Sequence, residues 1–369
     1  MRALALALAL AVVVASATAQ RKKKRAEQEI TQTLELPKEL PSVVVADCQR
    51  LVFHVSPLSA RGLLSQQVRE ALRNLLQQVR GASIVKLRGF VAGSGDVRRV
   101  QALVSETFTE RRLPLPALSV VRVGALPLEG AQVVLESVAV ERKAVNPHGL
   151  AFLSGQPAEA GESLAPLAPL AERSLARLRA ALAAAGLEAA DVLRATCYLS
   201  ALDDYLGLRL RLAKEFPQAA VNLVQGQRVL GRSAVECEAV ARLRQAPSAP
   251  VRFLNPAESA PPLGFSAVAL VGAARLALSG AQLAFGYQEP EARLAYQRLE
   301  KSLEPSGARL RGAVVWNLYA LSPGIGDTAW RARSEPAGTP PPAGTAAVLE
   351  GLASLDAAFA AEVVAVVGR

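Results

Sequence analysis

The sequence predicts three successive units of mixed helix and strand, each in the order β-α-β-α-β-β, behind an N-terminal segment that stands apart from the fold. Three observations predict it. Nearly the same strand end is written twice, as "LSGQP" at 153–157 and "LSGAQ" at 278–282. Ser56, Ser154 and Ser279 close equivalent first strands, 98 and 125 residues apart. Glu136, Glu238 and Glu362 lie in the last strands, 102 and 124 residues apart. Two separate landmarks give nearly the same pair of intervals, so one repeated unit is the economical explanation.

The elements follow in order. In residues 1–19, Arg2 precedes an apolar run from Ala3 to Val14, and Ala17-Thr18-Ala19 matches a small-residue cleavage site. That is the layout of a secretory signal peptide, which implies an exported, periplasmic or secreted protein. Arg21, Lys22, Lys23, Lys24 and Arg25 follow at once. Positive charge prefers the cytoplasmic side, so an N-terminal membrane anchor with a cytoplasmic body is the alternative. Residues 20–48 read as a basic and polar tail and linker. Its charges suit a solvated segment or a contact with phosphate or anionic lipid.

The first unit spans 49–142. "QRLVFHVS" is a strand, "QQVREALRNLLQQV" a helix, "SIVKLRGFVA" a strand and "DVRRVQALVSETF" a helix. "LSVVRVGALPLEGAQVVLESVAV" reads as a closing hairpin. The second unit spans 149–243 and is the clearest locally. Leu175, Leu178 and Leu182 lay one apolar stripe along a helix. Gly186 then suits a left-handed C-terminal cap. "VLRATCYLS" is a strand rich in β-branched and aromatic residues. "DDYLGLRLRLAKEF" is helical, and "VNLVQ" with "AVECEAVARL" reads as a hairpin. Residues 244–263, rich in Pro, read as an exposed linker. The third unit, 264–368, repeats the order: strand "ARLALSG", helix "RLAYQRLEKSL", strand "GAVVWNLYALS", a weak helix around Trp330, and a hairpin in "TAAVLEGLASLDAAFAAEVVAVV".

Composition narrows the chemistry. The formal charge is +10, but Arg2 and the five residues Arg21 to Arg25 carry six of it, leaving +4 for the rest. No specific nucleic-acid surface is expected from that balance. Cys48, Cys197 and Cys237 are odd in number and widely spaced, so they imply no disulfide framework. Cys197 and Cys237 read as small core residues. With only His54 and His148 besides, no metal site is expected, and no cofactor. "GSGDV" and "GIGD" are short Gly-rich turns, and neither is a phosphate loop.

"SGQP", "AAAGLEAADVLRATCYLSALDDY" and "VECEAVA" in the second unit resemble the RidA (YjgF-type, UK114-like) family of reactive-intermediate deaminases. In the first unit the resemblance rests on "ALPLEG…VLESVA", and in the third on "LSG" and the closing strand. It implies α+β, chorismate mutase-like domains, each with helices covering one face of a mixed sheet. The bare face must bury elsewhere. Three copies in one chain can meet that need internally, as a monomer acting as an intramolecular pseudo-trimer with pockets between neighbours.

Family enzymes hydrolyse enamines and imines formed from amino acids. The resemblance implies a Pro-Ala-Arg-Ser motif whose Arg grips the substrate carboxylate bidentately, and a later Glu that helps hold a water. This sequence departs from the motif in every unit. Leu118 in "PALS", Ala219 in "PQAA" and Gly344 in "PAGT" stand at the Arg position. Glu236 alone matches the later Glu, against Val134 and Ala360. Arg122 shares a strand face with Leu118 by alternation, and is a candidate replacement for anion binding. Ser119, Ser154, Gly155, Tyr198 and Ser279 are candidate cleft residues, Ser154 and Ser279 being equally readable as turn residues. Cys237 and its neighbour Glu236 should point to opposite faces.

Three functions follow as expectations. The first is a diverged RidA-like protein that binds a small molecule, such as a carboxylate, between repeats. The second is an active enamine/imine deaminase with Glu236 as its catalytic residue. The third, RNA binding or cleavage, would rest on "RKKKR", with few aromatic residues for stacking.

Overall fold

The computed structural model describes residues 38–368 except 94–95, 162–164, 228–232, 263, 273–274 and 334–336. The expected signal or anchor and the basic run to Arg25 lie outside the described residues. Among the described residues no helix is long and apolar enough to cross a membrane.

The first third of the chain forms β1 (Val43–Asp47), β2 (Leu51–Val55), α1 (Leu64–Gln78), β3 (Ser83–Ala92), α2 (Val97–Glu110), β4 (Ala117–Val123) and β5 (Val133–Val140). The second forms β6 (Leu150–Glu159), α3 (Leu167–Ala184), β7 (Val192–Leu199), α4 (Tyr205–Glu215), β8 (Ala220–Gln225) and β9 (Ala234–Arg242). The last forms β10 (Val251–Leu254), β11 (Val268–Val271), β12 (Arg275–Ser279), β13 (Gln282–Phe285) and α5 (Glu289–Leu303). It continues through β14 (Ala308–Ala320), α6 (Pro323–Arg333), β15 (Ala346–Val348), β16 (Gly351–Leu352) and β17 (Ala357–Val367).

These strands make three mixed sheets, ordered β16-β4-β3-β5-β2, β10-β11-β6-β9-β7-β8 and β1-β12-β17-β14-β15, with β13 also pairing to β17. Each sheet carries its own helices. On α1, Val68, Ala71, Leu72 and Leu75 recur at helical spacing and are fully or almost fully buried against the first sheet. Asp96 starts α2 by accepting from the Arg98 N–H. Leu175, Leu178 and Leu182 line the buried face of α3, as their spacing predicts.

The last two strands of each unit do not form the expected hairpin. β4 pairs in parallel with β3, and β5 pairs with the other edge of β3. β8 and β9 flank β7 in the same way. The helix before β4 or β8 is the crossover that a parallel neighbour requires. The two segments read as linkers also contribute strands. β1, within 20–48, pairs with β12, and β10, within 244–263, pairs with β11. Both sit at sheet edges, where they satisfy backbone groups otherwise left open.

A further correction concerns Cys197 and Cys237. They face each other across β7 and β9 and form a disulfide. A separation of 40 residues hides a contact that only strand register creates. Cys48 is free and buried.

Beyond the three sheet–helix cores lie two cores built from all three sheets together. One gathers Leu51, Phe53, Phe152, Val240, Leu278 and Val314. The other gathers Phe90, Val121, Tyr198, Val224, Tyr319 and Ala360. The helix-free faces of the sheets therefore bury against one another.

Candidate functional site

Strand alternation sends every second residue of the middle strands toward this shared interior. Arg88 on β3 stands opposite Glu136 on β5. At the same register Thr196 faces Glu238 across β7 and β9, and Asn317 faces Glu362 across β14 and β17. All six are buried. The Arg88 guanidinium lies 2.7 Å from Glu136, 2.6 Å from Glu238 and 3.9 Å from Glu362. One cation thus touches a carboxylate from every sheet.

Each carboxylate also accepts a bond from the neighbouring sheet. Ser119 donates to Glu362, Asn222 donates to Glu136 at 2.7 Å, and Thr345 donates to Glu238 at 2.5 Å. Lys86 adds an ion pair with Glu362 at 2.7 Å and donates to the Ser119 hydroxyl at 2.6 Å and the Ser279 carbonyl. Arg194 lies 3.7 Å from Glu136 and 3.6 Å from Glu238. Burial opposes ionisation of Glu362, yet Lys86 and Arg88 outweigh it and hold the carboxyl well below its usual range. Lys86, Arg88 and Arg194 against Glu136, Glu238 and Glu362 leave no net charge, and only about 60 Å³ of cavity remains beside them. Ser119 and Ser279 therefore serve this ionic cluster, and Ser279 also lines the small cavity beside it.

The other sequence candidates gather elsewhere. Glu236, Tyr198 and Pro157 share one register across β9, β7 and β6. They line a cavity of about 190 Å³ whose far wall is Ala346, Ala347 and Val348 of β15, from the third sheet. Gln227 ties the two walls, donating from its backbone to Val348 and from its side chain to Leu321, both at 3.0 Å. The Glu236 carboxyl lies against Gly155, where a Cβ would overlap it. Gly155 is thus the space that admits the acid. Two polar atoms here are buried without a hydrogen-bond partner, Glu236 Oε1 and the Tyr198 hydroxyl. Burial, with the Glu238 and Glu159 carboxylates adding to it, pushes the Glu236 carboxyl up to about 8. Among the described residues lining the cavity none is cationic. Such a site offers a protonatable acid and a hydroxyl to a small guest, and no grip for an anion.

Ser154 sits beside this cavity but is occupied. Its hydroxyl donates to the Ser266 carbonyl and accepts from the Gly344 N–H at 2.8 Å, while Gly155 N–H donates to the Gly344 carbonyl at 3.1 Å. Arg122 joins neither group. Ser119 and Val121 point to the shared interior, whereas Leu118 and Val120 pack on the α1–α2 side. Arg122 follows the latter, and its guanidinium donates to the Gly93 carbonyl at 2.8 Å. Arg122 shares a face with Leu118 and Val120, as alternation predicts, and lies on the opposite strand face from Ser119.

The motif positions themselves are closed. Leu118 is in the core of the first sheet, and Ala219 packs against that of the second. At Gly344 a side chain would collide with the Trp316 carbonyl and the Phe265 ring. Glu236 and Cys237 do face opposite sides, Cys237 lying in the helix-side core. The residues missed in the sequence are Lys86, Arg88, Arg194, Asn222 and Thr345. Lys86 and Arg88, two apart in the apolar run "SIVKLRGFVA", were the legible signal, since such strands rarely carry two cations without partners.

No family model matches the chain, and no curated protein matches it. The solved structures it is similar to include members of the YjgF/RidA/UK114 family, each covering about a quarter to a third of its length. The YjgF gene product of E. coli is 24% identical over 28% of this chain and 94% of its own, with a TM-score of 0.24. E. coli TdcF, in a structure with bound serine, is 19% identical over 29% and 98%, TM-score 0.24. A YjgF-family member from Neisseria meningitidis is 29% identical over 27% and 82%, TM-score 0.22.

Proposed function

We propose that residues 49–142, 149–243 and 264–368 are three diverged RidA-like units closed on one another as an intramolecular pseudo-trimer, and that the chain binds a small metabolite in the cleft beside Glu236. The cyclic exchange supports the ring: a hydroxyl or amide of the first unit bonds the third unit's glutamate, the second the first's, and the third the second's. The observation that carries the binding reading is the pair of buried, unpartnered groups, Glu236 Oε1 and Tyr198 Oη, on one cavity. Leaving such groups unmade costs about 1–3 kcal/mol each, a cost that a guest able to bond both would remove. The blocked position at Gly344 supports loss of the carboxylate grip.

An enamine/imine deaminase is the second reading, favoured by one fact: an acid held protonated near neutrality can donate a proton to a leaving amine. Ammonia release from freshly generated 2-aminoacrylate separates the two. The expected result is no release above background while an active family member in the same assay gives a clear signal. Release that Glu236→Gln abolishes would overturn the non-catalytic reading.

Export is part of the same proposal. The apolar run from Ala3 to Val14 and the Cys197–Cys237 disulfide both suit an oxidising compartment.

A further inference from the structure

We propose that the cleft beside Glu236 takes a small primary ammonium cation lacking a carboxylate, with Glu236 as its counter-ion. The proposal rests on the cleft being a binding site at all, and it reverses the charge of the guest that the resemblance implies. Three features of the cavity point to a cation. Among the described residues, the ionisable groups around Glu236 are Glu238 two residues along its own strand, Glu159 on β6 and the Tyr198 hydroxyl on β7; Ser200 and Gln227 also line the cavity, and β15 presents only Ala346, Ala347 and Val348. Arg88, the buried guanidinium that pairs with the neighbouring Glu238, is committed to Glu136 and Glu238. The two unpartnered atoms, a carboxyl oxygen and a phenol oxygen, are both able to accept from an ammonium group.

A buried carboxyl with no cation among the described residues of its cavity takes up a proton, which is the state its raised value reflects. Admitting R–NH₃⁺ supplies the missing charge. The carboxyl then gives its proton to solvent, leaving a carboxylate–ammonium pair: one proton leaves and one cation enters. Binding and proton release are therefore linked. Below about pH 8 affinity should rise by up to tenfold per pH unit, and above it should level off.

The experiment is calorimetric titration of the full chain with ethylammonium, acetamide and acetate, each in two buffers of different ionisation enthalpy between pH 6 and 9. The expected result is saturable binding of ethylammonium, with close to one proton released at pH 6 and almost none at pH 9. Acetate should not bind. Glu236→Gln should remove ethylammonium binding and keep or improve that of acetamide, which also reports that the variant is folded. Binding of acetamide with no binding of ethylammonium would overturn the ammonium inference while leaving a cleft that binds neutral metabolites. Preferential binding of acetate, or ethylammonium binding independent of pH, would overturn it as well. Absence of binding by all three would remove both the inference and the reading beneath it.

Discussion

Lys86 occupies a position that ordinary lysines avoid, at the middle of a strand whose neighbours are almost all buried. Its partner Glu362 is held ionised against burial by that ammonium and by Arg88. Removing one member of such a pair leaves the other uncompensated, which typically costs about 3–5 kcal/mol. Lys86→Met should lose that much at pH 7, and Lys86→Met with Glu362→Gln should recover most of it. Because the folded carboxyl titrates below its unfolded value, the contribution is fully present above about pH 4–5. It fades as pH falls toward the folded value. Urea unfolding of both proteins at pH 7 and pH 3 checks this: the gap between wild type and Lys86→Met should narrow at the lower pH. A gap that stays constant, or one under about 1 kcal/mol at pH 7, would mean that Glu362 is not held by Lys86.

At the scale of elements, β7 and β9 are joined both by their ladder and by the Cys197–Cys237 disulfide. A cross-link closing a 40-residue separation is expected to contribute about 4 kcal/mol, chiefly by restricting the unfolded chain. Replacing both cysteines by Ala should lose roughly that amount. Alkylation in denaturant without reductant should modify Cys48 alone, and after reduction all three cysteines. In the folded protein Cys48 itself should resist alkylation, because burial pushes its thiol up to about 12. Three modified thiols without reductant would remove the disulfide. This pairing marks where sequence stops being legible. Helical stripes such as Leu175, Leu178 and Leu182 are local, and periodicity finds them. The β3–β4 and β3–β5 neighbours, the Cys197–Cys237 contact and the edge roles of β1 and β10 are set by register across long separations. No local pattern encodes them. Glu236, Tyr198 and Gly155 lie in motif-like segments, and the fold brings them together. Arg122 lies apart from them, because alternation fixes which residues share a face but not which face looks inward.

At the scale of the whole molecule, the ionic cluster is asymmetric where the proposed ring is not. The register that places Arg88 on the first sheet places Thr196 on the second and Asn317 on the third. A ring of three identical chains would have to carry the same residue three times at that level. Three guanidiniums would then crowd one interior, or none would neutralise the three glutamates. A single chain escapes the restriction, setting one Arg where it reaches Glu136 and Glu238 at 2.7 and 2.6 Å and letting Thr196 and Asn317 fill the other two places with hydrogen-bonding groups. Arg88→Met should therefore be more damaging than Lys86→Met, since it uncovers two carboxylates on different sheets and weakens cohesion among all three. Thr196→Arg should also destabilise, by about 3–5 kcal/mol, by adding a buried cation with no acid left to pair with it. Adding Arg88→Thr to Thr196→Arg moves the cation to the neighbouring sheet, one place around the ring, and should restore part of the loss. Denaturant unfolding with size-exclusion chromatography reads all five proteins. The expected order of stability is wild type, then the swapped pair, then the single variants, every folded species eluting as a monomer. A swapped pair no more stable than Thr196→Arg alone would show that the three places around Arg88 are not equivalent, and the ring of repeats would lose its strongest support.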